Sequence, residues 1–242
     1  ENITIFINQN GSQEYSDPIK QYGTCAVVSS AYELLHHEHG SHIDKSDAIF
    51  RINTGQIKAF EKKVGNRTDF RIINNKVVEK INGSSKLDYV SDKEVLITYL
   101  TCNNYRPLAA CLSMKGTLKR LIKYPSRYRS QNLFFVTPNV SQIITNVFKS
   151  IRLDNKFGRY PTSGLLTIVL ALIHCDVVYA YGFLPLHVEK KCYYYSNANY
   201  AGCGLNHVHH ARHIEKALLI AVSERDDEMI YKHGILKLIK PI

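Results

Sequence analysis

"TCAVVSSAYELLHHEHGSHIDKSDAIFRIN", residues 24 to 53, decides the fold. Its first residues form a short apolar run ending in the small polar pair Ser29-Ser30, the pattern of a buried strand that stops at a turn. "SAYELLHH" reads as helix, and "DAIFRIN" as a second strand ending in Asn53. Outward from this stretch the alternation continues. "KAFEKKVG" predicts a helix with a glycine stop, and "TDFRIIN" a strand ending in Asn74. "EVLITYL" and "NLFFVT" read as strands, and "VSQIITNVFKSI" as an amphipathic helix. "PTSGLLTIVLALIHC" starts with proline and small polar residues and continues as an apolar helix, read with the proline in its first turn. "VVYAYGF" is a strand, "HHARHIEKALLIAVSE" a helix and "GILKLIK" a last strand.

This order predicts an α/β chain: one Rossmann-like domain, a mostly parallel twisted sheet with helices on both faces. Ligands of such sheets sit at the carboxyl ends of the strands. Residues 1–23 read as an irregular lead-in and 24–242 as the catalytic domain. The longest apolar run, "GLLTIVLALIHC", is too short to cross a bilayer, so any membrane anchor is expected upstream of this chain.

At 242 residues, one sizeable core is expected. The net charge of +10 fits an anionic partner, or equally a lysine-rich solvated surface. Five sequons, at Asn2, Asn10, Asn66, Asn82 and Asn139, mark candidate glycosylation sites. With six cysteines, of which Cys192 and Cys203 are near enough to close a small loop, they favour a lumenal or secreted setting.

That loop, "CYYYSNANYAGC", holds three consecutive tyrosines and is followed by the histidine-rich "HVHHARHIEK". Phenols hydrogen-bond anionic oxygens, and imidazole takes protons near neutral pH. A reaction centre and a rigid aromatic corner beside a solvated helix both fit this composition.

Four stretches in order resemble the motifs of glycosyltransferase family 29, the eukaryotic sialyltransferases. "CAVVSSAYELLHHEHGSHIDKSDAIFRIN" with "VGNRTDFRIIN" resembles the large sialyl motif, and "RYPTSGLLTIVLALIHCDVVYAYGF" the small one. "YYYS" at 193–196 is similar to the third motif, and His210-Ala-Arg-His-Ile-Glu215 to the very small motif. The resemblance implies a variant GT-A fold and an inverting transfer of sialic acid from CMP-sialic acid to the galactose of a glycoprotein or glycolipid. It implies no cofactor, no metal and no nucleic-acid partner, and a Golgi-lumen ectodomain of a type II membrane protein or a secreted enzyme.

The same resemblance distributes roles. His210 is the catalytic base, a role for which imidazole suits the pH. Among the histidines of this cluster, only His210 has a glutamate five positions on. Tyr193 meets the charge of the leaving phosphate. Ser30, Ala31, Asn53, Asn74, Thr162, Ser163, Gly164 and Tyr193 are donor-binding positions. Tyr195, Ser196, Glu215 and Lys216 support the acceptor side. Cys25 pairs with Cys175 and Cys192 with Cys203; Cys102 and Cys111 have no counterpart in the family and either form a third bridge or stay free. Physically, phenols and the free amides of a helix start can hold an anion where no Asp-x-Asp is present to carry a metal.

"CAVVSSA", "YGFLP" and "CYYY" most resemble the β-galactoside α2,6 branch. The chain departs from that branch at Ser196, where the branch has Gln, at Tyr32-Glu33, and in its compactness, which resembles poxvirus-carried members. The last comparison implies α2,3 linkage, the main expectation; α2,6 transfer to N-acetyllactosamine is the alternative. Three other readings are carried. One is a metal site built on "HHEHGSH" and "HVHHARH", and another an inactive lectin-like domain. The third is a nucleic-acid module around "KGTLKRLIKYPSRYRS", residues 115–130, which the sequons and cysteines oppose.

Overall fold

A computed structural model describes residues 17–74, 77, 90, 91, 93–99, 133–136, 143, 144, 146, 147, 161–184, 191–196, 206, 207 and 210–241. The first strand, β1 (Tyr22–Val28), is followed by a 3₁₀ turn (Tyr32–His36), α1 (Gly40–Ile43), β2 (Ala48–Ile52), α2 (Glu61–Val64), β3 (Phe70–Ile73), β4 (Val95–Tyr99) and β5 (Leu133–Val136). Then come α3 (Ser163–His174), β6 (Cys175–Tyr181), β7 (Asn206–His207), β8 (His210–Ala211) and α4 (Arg212–Val222). A π-helical turn (Glu228–Lys232) and β9 (Ile235–Ile239) complete the order.

Seven strands form one sheet in the order β5-β4-β3-β2-β1-β6-β9. All neighbours are parallel except β6 and β9, which run antiparallel. The mostly parallel sheet expected from the strand–helix alternation is therefore present. All residues of β2 and β3 are buried, as they must be in a sheet covered on both sides. Alternation along β1 sorts the core into two layers. Cys25 and Val27 pack with Phe50, Phe70 and the α3 residues Leu166 and Leu170. Ala26 and Val28 pack with Leu34, Ile43, Val64 and Tyr194 on the other face.

Several local expectations differ from the structure. "SAYELLHH" forms only the 3₁₀ turn, and "KAFEKKVG" only the single turn α2, stopped at Gly65 with φ 79°. Helix α3 begins after Pro161: Thr162 is the cap, and its Oγ1 accepts the Leu165 N–H at 3.1 Å. The proline thus stands before the cap, outside the first turn. His210 lies in the two-residue strand β8, paired with His207, and the helix starts only at Arg212. Of "VSQIITNVFKSI", residues 143, 144, 146 and 147 are helical, and the rest lies outside the described residues.

The Cys25–Cys175 disulfide expected from the family resemblance is formed, with Cα atoms 6.0 Å apart. It joins the adjacent strands β1 and β6 across 150 residues of sequence. Cys192 is also disulfide-bonded, whereas Cys203, Cys102 and Cys111 lie outside the described residues. Closing so long a loop restricts the unfolded chain strongly, so Cys25→Ala/Cys175→Ala is expected to lower stability by about 2–5 kcal/mol. Urea unfolding checks this; a loss below about 1 kcal/mol would show that the bridge adds little beyond the core.

Candidate active site

The strand order places the site. From β1 to β5 the chain builds the sheet outward in one direction, and β6 then returns to the other side of β1. In open sheets of this kind ligands bind outside the carboxyl ends of the strands at such a switch point. Helix α3 leads without an intervening residue into β6 and so runs antiparallel to the strands. Its N-terminus therefore lies at the same edge, where the Tyr99 hydroxyl at the end of β4 meets Ser163 Oγ at 2.7 Å.

Ser29 ties the ends of β1 and β6 together: its N–H donates to Tyr181 O at 3.1 Å and its Oγ to Gly182 O at 2.8 Å. The same Oγ accepts the Ala31 N–H at 3.1 Å. Gly182 has φ +72°, and an added Cβ would come within 2.5 Å of that hydroxyl, so a side chain here would displace it. Ser30 is buried, and its carbonyl accepts the Tyr194 N–H at 3.4 Å. Ala31 forms a bridge with Tyr193, and the Tyr32 N–H donates to Cys192 O at 3.1 Å. The tyrosine loop is thus laid directly on the end of β1.

Its three rings divide the work. Tyr194 is buried and donates to Gln56 O at 2.5 Å. Tyr195 meets Thr54 Oγ1 at 2.5 Å through its hydroxyl. Tyr193, 38 % exposed, stacks on Tyr195 with centroids 5.4 Å apart and is the phenol left at the surface. Ser196 closes the turn by donating its N–H to Tyr193 O at 3.4 Å.

The strand-end asparagines are joined. Asn53 takes the left-handed conformation, φ 50°, which asparagine tolerates better than most residues. Its Oδ1 accepts the Asn74 N–H at 3.0 Å, so the ends of β2 and β3 act as one unit. At the helix start, Gly164 packs so closely on Phe183 that a Cβ would lie 2.8 Å from its ring.

The other face of that start is held by Glu215, which is buried in the first turn of α4. Its carboxylate accepts the Thr162 N–H at 2.8 Å and the Thr162 hydroxyl at 2.5 Å. This clamp brings the β8–α4 junction, with His210 five residues before Glu215, to the N-terminus of α3. Burial raises the Glu215 carboxyl from the ordinary 4.5 to about 7, against the lowering effect of both Thr162 hydrogen bonds and of Arg212. Burial, followed by Arg212, pushes the Lys216 ammonium down, and Glu33 opposes that shift.

Thr54, Gln56, Tyr194, Arg51, Arg71 and Glu94 were not singled out from the sequence. For the arginines a signal existed: each interrupts an otherwise apolar strand run, "AIFRI" and "FRII". Among the sequons, Asn66 is exposed and donates to Asp44 Oδ2 at 3.2 Å; Asn2, Asn10, Asn82 and Asn139 lie outside the described residues. So does the basic stretch 115–130. Among the described residues no group of three or more His, Cys, Asp or Glu could hold a metal ion. His39 and His42 instead engage His233 O at 2.8 Å and the Tyr181 hydroxyl at 2.7 Å.

Because the folded Glu215 binds its proton more tightly than the unfolded chain does, its contribution to stability is full below about pH 4.5 and is lost as pH rises through about 7. The stability of wild type relative to Glu215→Gln is therefore expected to fall as pH rises from about 5 to about 8, read as the difference between their melting temperatures. A difference that does not change with pH would remove Glu215 as a source.

The model of glycosyltransferase family 29 (sialyltransferase) matches residues 2–225. The chain is similar to β-galactoside α-2,6-sialyltransferase 2 of Danio rerio, 27% identical over 224 residues, which cover 87% of this chain and 41% of the relative. With β-galactoside α-2,6-sialyltransferase 1 of Homo sapiens it shares 26% identity over 216 residues, 88% of this chain and 53% of the relative. The chain thus spans about half the length of the curated relatives it matches. A crystal structure of a mammalian sialyltransferase has the same fold: TM-score 0.55 at 17% identity, covering 83% of this chain and 66% of the other. With a family model matched over nearly its whole length, the chain belongs to glycosyltransferase family 29.

Proposed function

We propose that this chain is an inverting sialyltransferase that moves sialic acid from CMP-sialic acid to the galactose of a glycoprotein or glycolipid. The observation that carries the reading is the family match across residues 2–225. It is supported by the gathering of Ser30, Ala31, Asn53, Asn74 and the α3 start at one edge of the sheet, with Tyr193 exposed above them. A Golgi-lumen or secreted setting fits the disulfide. Among the described residues no helix is long and apolar enough to cross a membrane.

In this reading the acceptor oxygen attacks the anomeric carbon of sialic acid, the bond to the phosphate breaks on the opposite side, and His210 takes the hydroxyl proton. The phosphate leaves with an added negative charge, which the Tyr193 phenol and the free amides at Ser163 and Gly164 meet. Thr162 orders those amides, and Glu215 fixes Thr162. Asn53 and Asn74 hold the nucleotide.

For linkage, the named α-2,6 relatives favour α2,6 over the α2,3 product expected from Ser196 and compactness. Compactness does not bear on which hydroxyl is presented, and at Ser196 the loss of one hydrogen bond, about 0.5–1.5 kcal/mol, alters preference without setting it. A second mammalian sialyltransferase structure, 18% identical, was solved with Gal-β-1-3GalNAc-ortho-nitrophenol, so both this disaccharide and N-acetyllactosamine belong in the acceptor panel.

Incubation with CMP-sialic acid and that panel, with product linkage read by NMR, tests the reading. An α2,6-sialylated galactoside is expected; an exclusively α2,3 product would overturn the linkage, and no transfer to any galactoside the function. His210→Ala should lose transfer by about 100-fold or more while still binding CMP, because the base acts on the acceptor. Activity should survive EDTA; complete loss restored by Mn²⁺ would return the metal reading.

A further inference from the structure

Beneath the turn that carries Asn53 lie two arginines that none of the roles above uses. Arg51 and Arg71 are cross-strand neighbours on β2 and β3, and both are fully buried. An apolar residue of similar volume usually serves a core at least as well as a buried charge. Their hydrogen bonds show what each guanidinium does. Arg51 reaches toward α2 and the start of β3: its Nε donates to Thr68 Oγ1 at 2.9 Å and its Nη2 to Val64 O at 2.8 Å and Arg67 O at 2.9 Å.

Arg71 reaches the other way. Its Nε and Nη2 donate to the buried carboxylate of Glu94 at 2.5 and 3.2 Å. Its Nη1 donates to two carbonyls of the strand-end turn, Asn53 O at 2.9 Å and Gly55 O at 2.8 Å. Only a planar guanidinium can span a carboxylate and two carbonyls in this way; an ammonium is a point charge. The turn it grips holds Asn53 at φ 50° and offers Thr54 and the Gln56 carbonyl to the hydroxyls of Tyr195 and Tyr194. From one side the turn is thus bound by Arg71, and from the other by the tyrosine loop.

We infer that Arg71, oriented by Glu94, is a positioning residue for nucleotide binding: it fixes the Asn53–Gln56 turn from below so that Asn53 and the tyrosine loop hold one geometry for the cytidine monophosphate of the donor. The inference rests on the proposed donor reading. It concerns Arg71, which grips the turn carbonyls, and not Arg51, which holds α2 and the start of β3 and lies beside the Tyr194 phenol.

Three variants test it against CMP by isothermal titration, alongside thermal melts and steady-state kinetics of the full chain. Wild type must first bind CMP; if it does not, the proposed function fails whatever Arg71 does. Arg71→Lys keeps a cation beside Glu94 but cannot reach both carbonyls. Arg71→Met/Glu94→Leu removes both buried charges together, a change that cores tolerate. Each is expected to weaken CMP about tenfold or more. The KM for CMP-sialic acid should rise with it, while the pH profile of kcat stays unchanged. Leu238→Ala, a core truncation on β9 at the far side of the sheet, is expected to lower the melting temperature and leave CMP affinity near wild type. Folded Arg71→Lys that binds CMP within about twofold of wild type overturns the inference, whether or not the double variant folds. So does an equal loss of CMP affinity in Leu238→Ala at the same loss of melting temperature, which would make the effect one of general destabilisation.

Discussion

A parallel sheet buried on both faces can present functional groups only where its strands end. β2 and β3 are buried along their whole length, so neither face is free to bind a substrate. Groups for a substrate are therefore expected at the carboxyl edge, from turns that leave the sheet and from α3 and α4, whose first turns meet through Glu215 and Thr162. This explains why the motifs are distant in sequence and adjacent in space. Ser29 beside Tyr181 and Gly182, Tyr193 beside Ala31, and Ser163 beside Tyr99 are all contacts between chain segments that the sheet order brings to one line.

The turns themselves are weakly determined by their own sequences, and so depend on long-range hydrogen bonds. Asn53 occupies a left-handed conformation, and the Thr162 cap is backed by a buried carboxylate from another helix. A buried polar group with its partners satisfied is rigid, and one with a partner removed is costly. The site is accordingly ringed by groups that permit little relaxation: Glu215 on Thr162, Arg71 on the Asn53 and Gly55 carbonyls, Ser29 on Gly182.

Period and punctuation made much of this readable. The runs around Val27, Phe50, Ile72 and Ile97 are strands because apolar residues fill both faces, and such runs announce themselves. Gly65 stops its helix as glycine does. The short elements were misjudged for a physical reason: in "SAYELLHH" and "KAFEKKVG" a helical pattern is present, but tertiary packing of Leu34 and Val64 needs only one turn. The placement of His210 in a two-residue strand, ahead of the helix, has no local signature because pairing with His207 is a non-local choice. Among site residues, strand-end asparagines and the helix cap follow from turn and cap chemistry. The partners that fix them do not, since Glu94 lies 23 residues from Arg71 and Glu215 lies 53 from Thr162.

Helix α3 passes into β6 without a single connecting residue, and the first residue of β6 is Cys175. Mechanically this makes the helix a beam of about 18 Å, from 12 residues at 1.5 Å each, built into a wall at one end. The wall is β1, bolted through Cys25, and the far tip is held by Glu215. A beam restrained at both ends transmits a tilt at its root to its tip. The bond between Cys25 and Cys175 therefore anchors the root of the same helix whose tip Glu215 holds, so that both ends of α3 are tied to segments far from it in sequence.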